Sequence, residues 1–536
     1  MPDFFYRTED IKPEEVMQYF VETEQDRQIV DTLKGRNPVV LIGSRGVGKS
    51  FLLRVSQSEL LSQFSTNRVF PVYVTFNKSS LLHSSNTDQF KHWMLAKLCA
   101  ATIRQLWKSG KLSTVPSGIS ILAGGDISPA LNKTKIEMLT EQLENSWKTP
   151  NQHIDTNEIP SVDAFKESLE DLCEQLSIER FLFLIDEAAH IFIPEQQRQF
   201  FTLFRDLRNP RITCNAAVYP GVTSYGETFQ PVHDATMLSV DRNILDKNYI
   251  RNMREIVEKQ ADSNILGSLM QYGENFAVLA YASTGNPRVL LKTLARAPKL
   301  TSSQVDEVVR EYYRTDVWSE HSNLADKYTG HGQLIAWGRN FIENEVIPDI
   351  KGKNDQYIQS EKNTTCFFWL HRNAPEIVKE AVRVLAYTGI VIEHATGIKA
   401  TRSEIGTRYM VNIGCIFAQE KNPRNSGFLI ATSLTPRRMA EYGASHSTFK
   451  SLLDQPAILT EANLSMSLKA QLAKPISVLD IPEWQQDVLQ ELKLITVGDV
   501  FNATEEKLKE GYYIGEVRAR RMRNAAVAAV IEYLSG

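Results

Sequence analysis

The chain has 536 residues, of which 42% are hydrophobic and 23% are charged, and its 60 basic and 64 acidic residues give a formal net charge of −4. One hydrophobic core rarely organises so long a chain, so we expect roughly three or four domains. The near balance of charge excludes a protein that is basic over its whole surface, so any nucleic-acid-binding surface must be local.

The sequence also argues against membrane and secreted classes. No apolar run approaches the roughly 20 residues of a membrane span, and the stretch MPDFFYRTEDIKPEE lacks the features of a signal peptide. The five cysteines are far apart, without a CxxC pair, which argues against a zinc site or a disulfide framework. We therefore expect a cytoplasmic protein without a membrane partner.

The first strong motif is GSRGVGKS, residues 43–50, which matches G-x-x-x-x-G-K-[ST] at each fixed position. The preceding NPVVLIG is typical of a buried parallel strand, and the following KSFLLRVSQSELLSQF has helical periodicity. Backbone N–H groups of such a loop wrap phosphates, its lysine neutralises the β and γ oxygens, and its last hydroxyl ligates Mg²⁺. The motif predicts an ATP and Mg²⁺ site built from Gly43, Ser44, Arg45, Gly46, Val47, Gly48, Lys49 and Ser50.

The next stretch combines a regular and an irregular part. RVFPVYVTFN predicts a further strand, and a long amphipathic helix is predicted from about Thr87 to Trp107. Residues 109–160 then become rich in Ser, Gly, Pro and Asn. This composition predicts an insertion or mobile loop outside the sheet core.

A second buried strand, FLFLIDE at residues 181–187, ends in two acidic residues. We predict that Asp186 holds Mg²⁺ through water and that Glu187 is the general base for the attacking water. The helix EQQRQFFTLFRDLRN and the strand RITCNAAVYPG follow. This alternation predicts a parallel sheet covered by helices on both faces.

This order of a phosphate loop, an LIDE strand and a strand with a polar-to-Gly turn resembles AAA+ and related signal-transduction ATPases, especially the origin-initiator branch. The resemblance implies a homo-oligomer and a residue that senses the γ-phosphate. Asn215 is the candidate sensor, and Thr223 and Ser224 compete for the role. An arginine finger that acts on a neighbouring subunit, or else ordinary surface arginine, is expected at Arg205, Arg208 and Arg211.

The stretch STGNPRVLL, residues 283–291, predicts a capped helix. Asn286 would cap it, Pro287 would take its first position and Arg288 would lie in its first turn. The resemblance implies that Arg288 reaches the γ-phosphate from a helical lid domain, whereas a surface arginine on an ordinary helix is the alternative. We predict an ATPase core over 1–242 and the lid over 243–330.

Residues 331–450 resemble the later part of a winged-helix domain, which follows the lid in origin-initiator ATPases. Strands are predicted over 390–394 and 409–415. Winged helices bind DNA or dock proteins, and both uses remain open here.

After a predicted linker, 451–476, residues 477–536 resemble the small helix-hairpin-helix domain that ends the RNA polymerase alpha subunit. Thr504 would cap a helix and residues 513–515 would form the hairpin, with Tyr513 where the repair-type motif has glycine. A role in protein interaction or oligomerisation is the alternative to nucleic-acid binding. The candidate nucleic-acid contacts are Arg518, Arg520, Arg521 and Arg523.

The predicted fold is α/β: a P-loop parallel sheet covered by helices, a helical lid, a winged-helix-like α+β domain and a small all-α helix-hairpin-helix domain. The predicted function is that of an AAA+-like ATPase that hydrolyses ATP and acts as a nucleotide-controlled switch on DNA. Bacterial antiviral defence or mobile-element biology, with a separate effector protein, fits this plan. The alternative is a slow-turnover signalling ATPase scaffold whose C-terminal modules recruit proteins.

Overall fold

The structure of the chain is a computed structural model. None of the helices in its described part is long and apolar enough to cross a membrane. The predicted linker, 451–476, falls mostly on residues outside that part. The structure describes residues 4–534 apart from 78–87, 113–117, 126–132, 147–153, 189–193, 328–330, 402, 454–471 and 480.

The sheet region, residues 4–242, is built on parallel strands. In chain order these are β1 (Val39–Ile42), β2 (Val69–Thr75), β3 (Arg180–Asp186), β4 (Ile212–Val218) and β5 (Thr236–Ser239). Among the described residues they form one five-stranded sheet in the order β2-β3-β4-β1-β5, and every neighbouring pair is parallel.

The burial of its strands shows that this sheet is covered on both faces. Every position of β3 and β4 is buried. Phe181 and Phe183 pack into one apolar core, whereas Leu182 and Leu184 pack into another, because successive side chains of a strand point to opposite faces. The predicted α/β sheet with helices on both sides is confirmed.

The helices of the sheet region surround these strands. In chain order they are α1 (Glu24–Leu33), α2 (Lys49–Ser62), α3 (Phe64–Asn67), α4 (Asp88–Lys108), α5 (Ile119–Ala123), α6 (Lys135–Glu144), α7 (Val162–Gln175), α8 (Pro194–Asp206) and α9 (Pro231–Asp234).

The structure differs from the sequence prediction over residues 109–160. The described part of this stretch contains α5 and α6, and their residues Ile119, Leu122 and Ile136 are buried in the same core as Phe183. A capping box at Thr134 starts α6. Polar residues between short helices hid this helical pattern, so the stretch extends the core on one face of the sheet.

The lid region, residues 243–327, is helical, as predicted. A π-helical turn, Tyr312–Asp316, joins its last long helix to a short one. Its helices are α10 (Tyr249–Glu258), α11 (Ser263–Gln271), α12 (Gly273–Ala282), α13 (Pro287–Arg296), α14 (Ser302–Glu311), α15 (Val317–Ser322) and α16 (Leu324–Lys327).

The third region, residues 331–453, combines helices with a second sheet. Its elements are α17 (Gly332–Phe341), α18 (Ile347–Gln359), β6 (Phe367–His371), α19 (Glu376–Tyr387), β7 (Val391–Lys399), β8 (Ile405–Val411), α20 (Ile413–Phe417), α21 (Pro423–Thr432), β9 (Ala440–Tyr442) and α22 (Lys450–Leu453). The strand order among the described residues is β7-β8-β6-β9.

The strands of the third region depart from the predicted boundaries. The strand predicted over 390–394 continues to Lys399, and the one predicted over 409–415 ends at Val411. The Asn412 side chain accepts a hydrogen bond from the Gly414 backbone N–H and caps α20. This cap converts the end of the predicted strand into a helix.

The tail region, residues 472–534, has an apolar core of its own that includes Leu489, Val500 and Met522. Thr504 caps a helix, as predicted, and Tyr513 has a φ of 60°, in the left-handed region. Its helices are α23 (Glu483–Glu491), α24 (Val497–Asn502), α25 (Glu505–Lys509) and α26 (Glu516–Leu534).

Candidate nucleotide-binding site

A cavity of about 770 Å³ lies over the carboxyl end of the sheet. Its walls come from the N-terminal segment, the 43–50 loop, the ends of β3 and β4, the lid region and the third region. Ligands of open parallel sheets bind at the carboxyl ends of the strands because successive strand-to-helix loops meet there. The cavity is therefore the candidate functional site.

The loop backbone suits a phosphate cradle. Gly46 and Gly48 have φ angles of 89° and 107°, which favour glycine. A Cβ on Gly46 would come within 2.8 Å of Asn286 Oδ1 and 2.9 Å of Arg288 Cβ. Because α2 begins directly after Gly48, the unpaired amides of its first turn face this end of the cavity.

Lys49 is only 8% exposed. Its Nζ donates to the carbonyl oxygens of Gly43 at 2.5 Å and Ser44 at 3.1 Å, and it lies 4.1 Å from the centroid of the Tyr219 ring. Burial lowers the pKa of Lys49 to about 8, and nearby carboxylates, Asp186 first among them, oppose this only in part. A buried ammonium that is satisfied by loop carbonyls is suited to exchange them for an anion.

The acidic pair lies beside the loop. Asp186 Oδ2 accepts from the Tyr73 hydroxyl at 2.7 Å, and its Oδ1 accepts from the Glu187 backbone N–H at 3.0 Å. Glu187 has a φ of 48°, an uncommon conformation outside glycine. Burial, followed by the charge of Asp186, raises the pKa of Glu187.

The oxygen donors fit a magnesium ion. Ser50, Asp186 and Asn77 line the same cavity, and hydroxyl, carboxylate and amide oxygens suit this hard cation. No group of three or more His, Cys, Asp or Glu in the described part of the chain forms a complete metal cage. Mg²⁺ commonly takes one or two carboxylates together with substrate phosphates and water, so this small donor set fits it.

The lid region contacts the loop through its capped helix, α13. Asn286 accepts from the Val289 N–H through Oδ1 and donates through Nδ2 to the Arg45 carbonyl at 2.8 Å. Arg288 Nε donates to the Tyr6 carbonyl at 2.8 Å. Burial, and then the positive charge of Arg45, lowers the pKa of Arg288. Three cationic side chains, of Arg45, Lys49 and Arg288, therefore face one cavity.

Arg242 is a further residue of the site, and sequence reasoning missed it. It donates to the Val47 carbonyl at 2.9 Å and pairs with the buried Asp26 at 3.2 Å. Arg242 thus ties the loop to α1. Nothing local in the sequence marks this long-range contact.

The candidate sensor Asn215 is not at the cavity, which corrects the sequence prediction. It pairs in register with Val39, the first residue of β1, whereas the phosphate loop follows Ile42 at the other end. Its Oδ1 accepts from the Val39 N–H and its Nδ2 donates to the Leu33 carbonyl. The residue joins α1 to β1 inside the sheet region.

The competing positions also lie outside the cavity. Thr223 donates to the Tyr219 carbonyl, and the Ser224 N–H donates to Gln197. Tyr219, directly after β4, is the residue that lines the cavity instead. Burial raises the pKa of Tyr219 to about 12, and the nearby positive charge of Arg45 opposes this only in part. The sequence signal that could have identified Tyr219 was its hydroxyl group and its position directly after the last residue of β4.

The three candidate finger arginines lie away from the cavity of their own chain. Arg205 donates to the Thr228 carbonyl and pairs with Asp206. Arg211 donates to the Glu179 carbonyl at the amino-terminal ends of β3 and β4, opposite the phosphate loop. Arg208 is the exposed member of the set.

The four tail arginines differ in their surroundings. The Arg518 guanidinium lies 4.3 Å from the Tyr513 ring centroid and 5.4 Å from that of Trp484. Arg520 is partly neutralised by Glu516 at 2.9 Å and Glu505 at 3.6 Å. Arg521 is exposed, and Arg523 is half-buried.

Residues 4–179 match the model of the ORC-CDC6-like family, which confirms the predicted resemblance to origin-initiator-like AAA+ ATPases. A search of curated proteins finds no match.

Two solved structures from Aeropyrum pernix are similar to the chain at low identity. The ORC1 protein in complex with DNA has 13% identity, covers 78% of this chain and 93% of its own, and has a TM-score of 0.31. The ORC2 protein in ADPNP–ADP complexes has 11% identity, covers 77% and 96%, and has a TM-score of 0.34. Likeness at this level transfers no residue role to this chain.

The low pKa of Lys49 predicts a pH-dependent affinity for ATP. Below pH 8 the ammonium is charged in the free protein, and above it the proton is progressively lost. Affinity should therefore fall about tenfold between pH 7 and pH 9, measured by isothermal titration calorimetry. Lys49→Arg should bind without this decline because guanidinium stays protonated. A flat profile for the wild type would contradict the assignment.

The position of Asn215 predicts a structural effect. Asn215→Leu leaves the Val39 N–H and the Leu33 carbonyl without their partners, so the free energy of unfolding should fall by about 2–5 kcal/mol. Urea denaturation measures this loss, and ATP binding below the unfolding transition should be unchanged. Normal stability combined with a lost response to the γ-phosphate would restore the sensor role.

Proposed function

We propose that this chain is an ATPase that binds ATP with Mg²⁺ in the cavity, hydrolyses it, and acts as a nucleotide-controlled switch on DNA. The convergence of Lys49, Arg45 and Arg288 on one cavity beside the acidic pair is the observation that carries the proposal. The family match over residues 4–179 supports it.

Binding and orientation fall to the loop and the lid. The amides at the start of α2 and the Lys49 ammonium would hold the β- and γ-phosphates, and Arg288 would contact the γ-phosphate from α13. Ser50 and Asp186 would hold Mg²⁺, which neutralises phosphate charge when bound. The Tyr73 hydroxyl orients the Asp186 carboxylate for that task.

Hydrolysis needs a base for the attacking water, and we assign this role to Glu187. Its raised pKa, caused first by burial, makes the carboxylate a better proton acceptor than a solvated one. The left-handed backbone at Glu187 and the hydrogen bond from its N–H to Asp186 hold the residue in one orientation. Glu187, the proposed base, and Asp186, the proposed metal ligand, are thus adjacent residues with different roles.

The DNA part of the proposal rests on the family match and on the tail. Arg518 and Arg521 lie three residues apart on α26, on neighbouring positions of one face. Because Arg520 is engaged by two glutamates, we assign it a structural role rather than a phosphate contact. A homo-oligomer, a separate effector protein and a role in bacterial antiviral defence or mobile-element biology stay predictions from the domain plan.

A second candidate function has one observation in its favour. Tyr512 and Tyr513 are 83% and 70% exposed, and Trp484 beside them is 41% exposed. Exposed aromatic clusters of this kind also mark protein interfaces. The alternative is a slow-turnover signalling ATPase scaffold whose tail recruits a protein.

Glu187→Gln should separate binding from turnover. The substitution keeps the shape of the side chain and removes its basicity, so ATP should bind with unchanged affinity while turnover falls about 10²–10⁴-fold. Calorimetry and single-turnover hydrolysis measure the two quantities. Glu195→Gln, on the surface helix α8, is the matched control. Undiminished turnover in Glu187→Gln would assign the base to another residue.

The tail predicts salt-dependent binding of duplex DNA by the full chain. Arg518→Ala combined with Arg521→Ala should lower the slope of log affinity against log salt by about 1.8, or about 0.9 for each phosphate contact. Lys507→Ala, whose side chain already pairs with Glu510, is the control. DNA should also stimulate ATP turnover. An unchanged slope without stimulation would favour the scaffold.

A further inference from the structure

The third region reaches the phosphate loop directly. Thr388, Gly389 and Asn412 line the cavity, and a Cβ on Gly389 would meet Ser44 Oγ at 3.4 Å. Next to this contact, a Cβ on Gly221 would come within 2.7 Å of the Arg383 carbonyl oxygen. The end of α19 is therefore packed against the loops that follow β1 and β4.

Tyr219 is the junction of this contact. Its ring meets the Tyr387 ring edge to face, with centroids 5.2 Å apart and planes at 77°. Lys49 Nζ lies 4.1 Å from the Tyr219 centroid, and the Arg45 guanidinium lies close enough to the Tyr219 hydroxyl to interact with it electrostatically. Two cations of the phosphate loop thus lie beside a side chain that also contacts the third region.

The lid and the third region share one core. Val308 and Tyr313 of the lid belong to the same buried cluster as Ile413 and Phe417 of the third region. The Ile413 N–H donates to Thr284 Oγ1 at 2.9 Å. Dense packing of this kind resists relative displacement, so these two regions are expected to move together.

A second set of polar contacts reinforces this unit. Arg424 of the third region pairs with Glu274 at 2.6 Å, and its backbone N–H donates to Asp306 at 2.8 Å. Both partners lie in the lid region. Any movement of α13 at the phosphate loop will therefore be transmitted to α19.

The contacts between this unit and the site include one hydrogen bond and one aromatic contact. Asn286 holds the Arg45 carbonyl, and Tyr387 holds Tyr219. A bound polyphosphate would compete for the Lys49 ammonium and the Arg45 guanidinium, because charge-assisted bonds to phosphate are stronger than bonds to neutral oxygen or a ring. Both cations would then leave Tyr219.

We propose that Tyr219 is a positioning residue that couples the γ-phosphate to the third region: nucleotide binding weakens the Tyr219–Tyr387 contact and releases the end of α19 from the phosphate loop. The inference rests on the proposed ATP site and adds an output for it. The lid and third region then respond to nucleotide as one unit, in cis, without a neighbouring subunit.

Amide hydrogen exchange of the full chain tests the release. The reporters are the amides of Thr388, Gly389 and Ile390, which bond back to the last turn of α19. A slowly hydrolysed ATP analogue should raise their exchange rates about fivefold or more over the free chain, and ADP should raise them less. Calorimetry under the same conditions measures occupancy.

Three substitutions and one control identify the route. Tyr219→Leu removes the ring and the hydroxyl, so exchange at 388–390 should be high without nucleotide and should no longer respond to it. Tyr219→Phe keeps the ring and removes the hydroxyl that interacts with Arg45, so part of the response should remain. Tyr225→Phe, at a tyrosine packed on Phe201 away from the cavity, is the control. Tyr387→Leu should reproduce Tyr219→Leu from the other side of the contact.

The outcomes separate this inference from the proposed function. If the analogue does not bind, the ATP site itself is wrong. If it binds at full occupancy while exchange at 388–390 stays unchanged, the coupling through Tyr219 is overturned and the ATPase assignment stands. If Tyr219→Leu responds like the wild type, another contact carries the release.

Discussion

The buried ammonium of Lys49 is the constraint on which the site depends. Removing a charge from water is costly unless a partner replaces the water, and in this chain loop carbonyls and the Tyr219 ring are the nearest replacements. Hydrogen bonds to neutral carbonyl oxygens and contact with a ring are weaker than charge-assisted bonds to phosphate. The same side chain thus explains the shape of the free site and its preference for an anion.

The parallel sheet brings the other residues of the site close to the buried ammonium of Lys49. The loop after β1, the acidic pair at the end of β3 and Tyr219 after β4 meet because the carboxyl ends of parallel strands lie side by side. The lid supplies α13 from outside the sheet, and the shared core behind it carries the third region to the same place. In the proposed function, binding, water activation and release would therefore depend on one group of adjacent contacts.

Local motifs were predictable from the sequence, and long-range placements were not. The phosphate loop, the acidic strand and the Asn286 cap each depend on neighbouring residues, so pattern and propensity sufficed for them. The register between β4 and β1 places Asn215 beside Val39, at the end of the sheet away from the phosphate loop. The sequence of β4 alone does not reveal this register, so the prediction of Asn215 as the sensor was wrong. The Tyr219–Tyr387 contact joins residues far apart in the sequence, and no local pattern marks such a pair. The helices between residues 118 and 146 were missed because their apolar runs are short and lie between polar segments.

A structure of the full chain with Mg²⁺ and a slowly hydrolysed ATP analogue tests the central claim most directly. The account predicts that Lys49 Nζ leaves the Gly43 and Ser44 carbonyls for the β and γ oxygens, with Arg288 on the γ-phosphate and Ser50 on the metal. A bound analogue with Lys49 still on its own loop, or with its phosphates outside residues 43–50, would contradict the account.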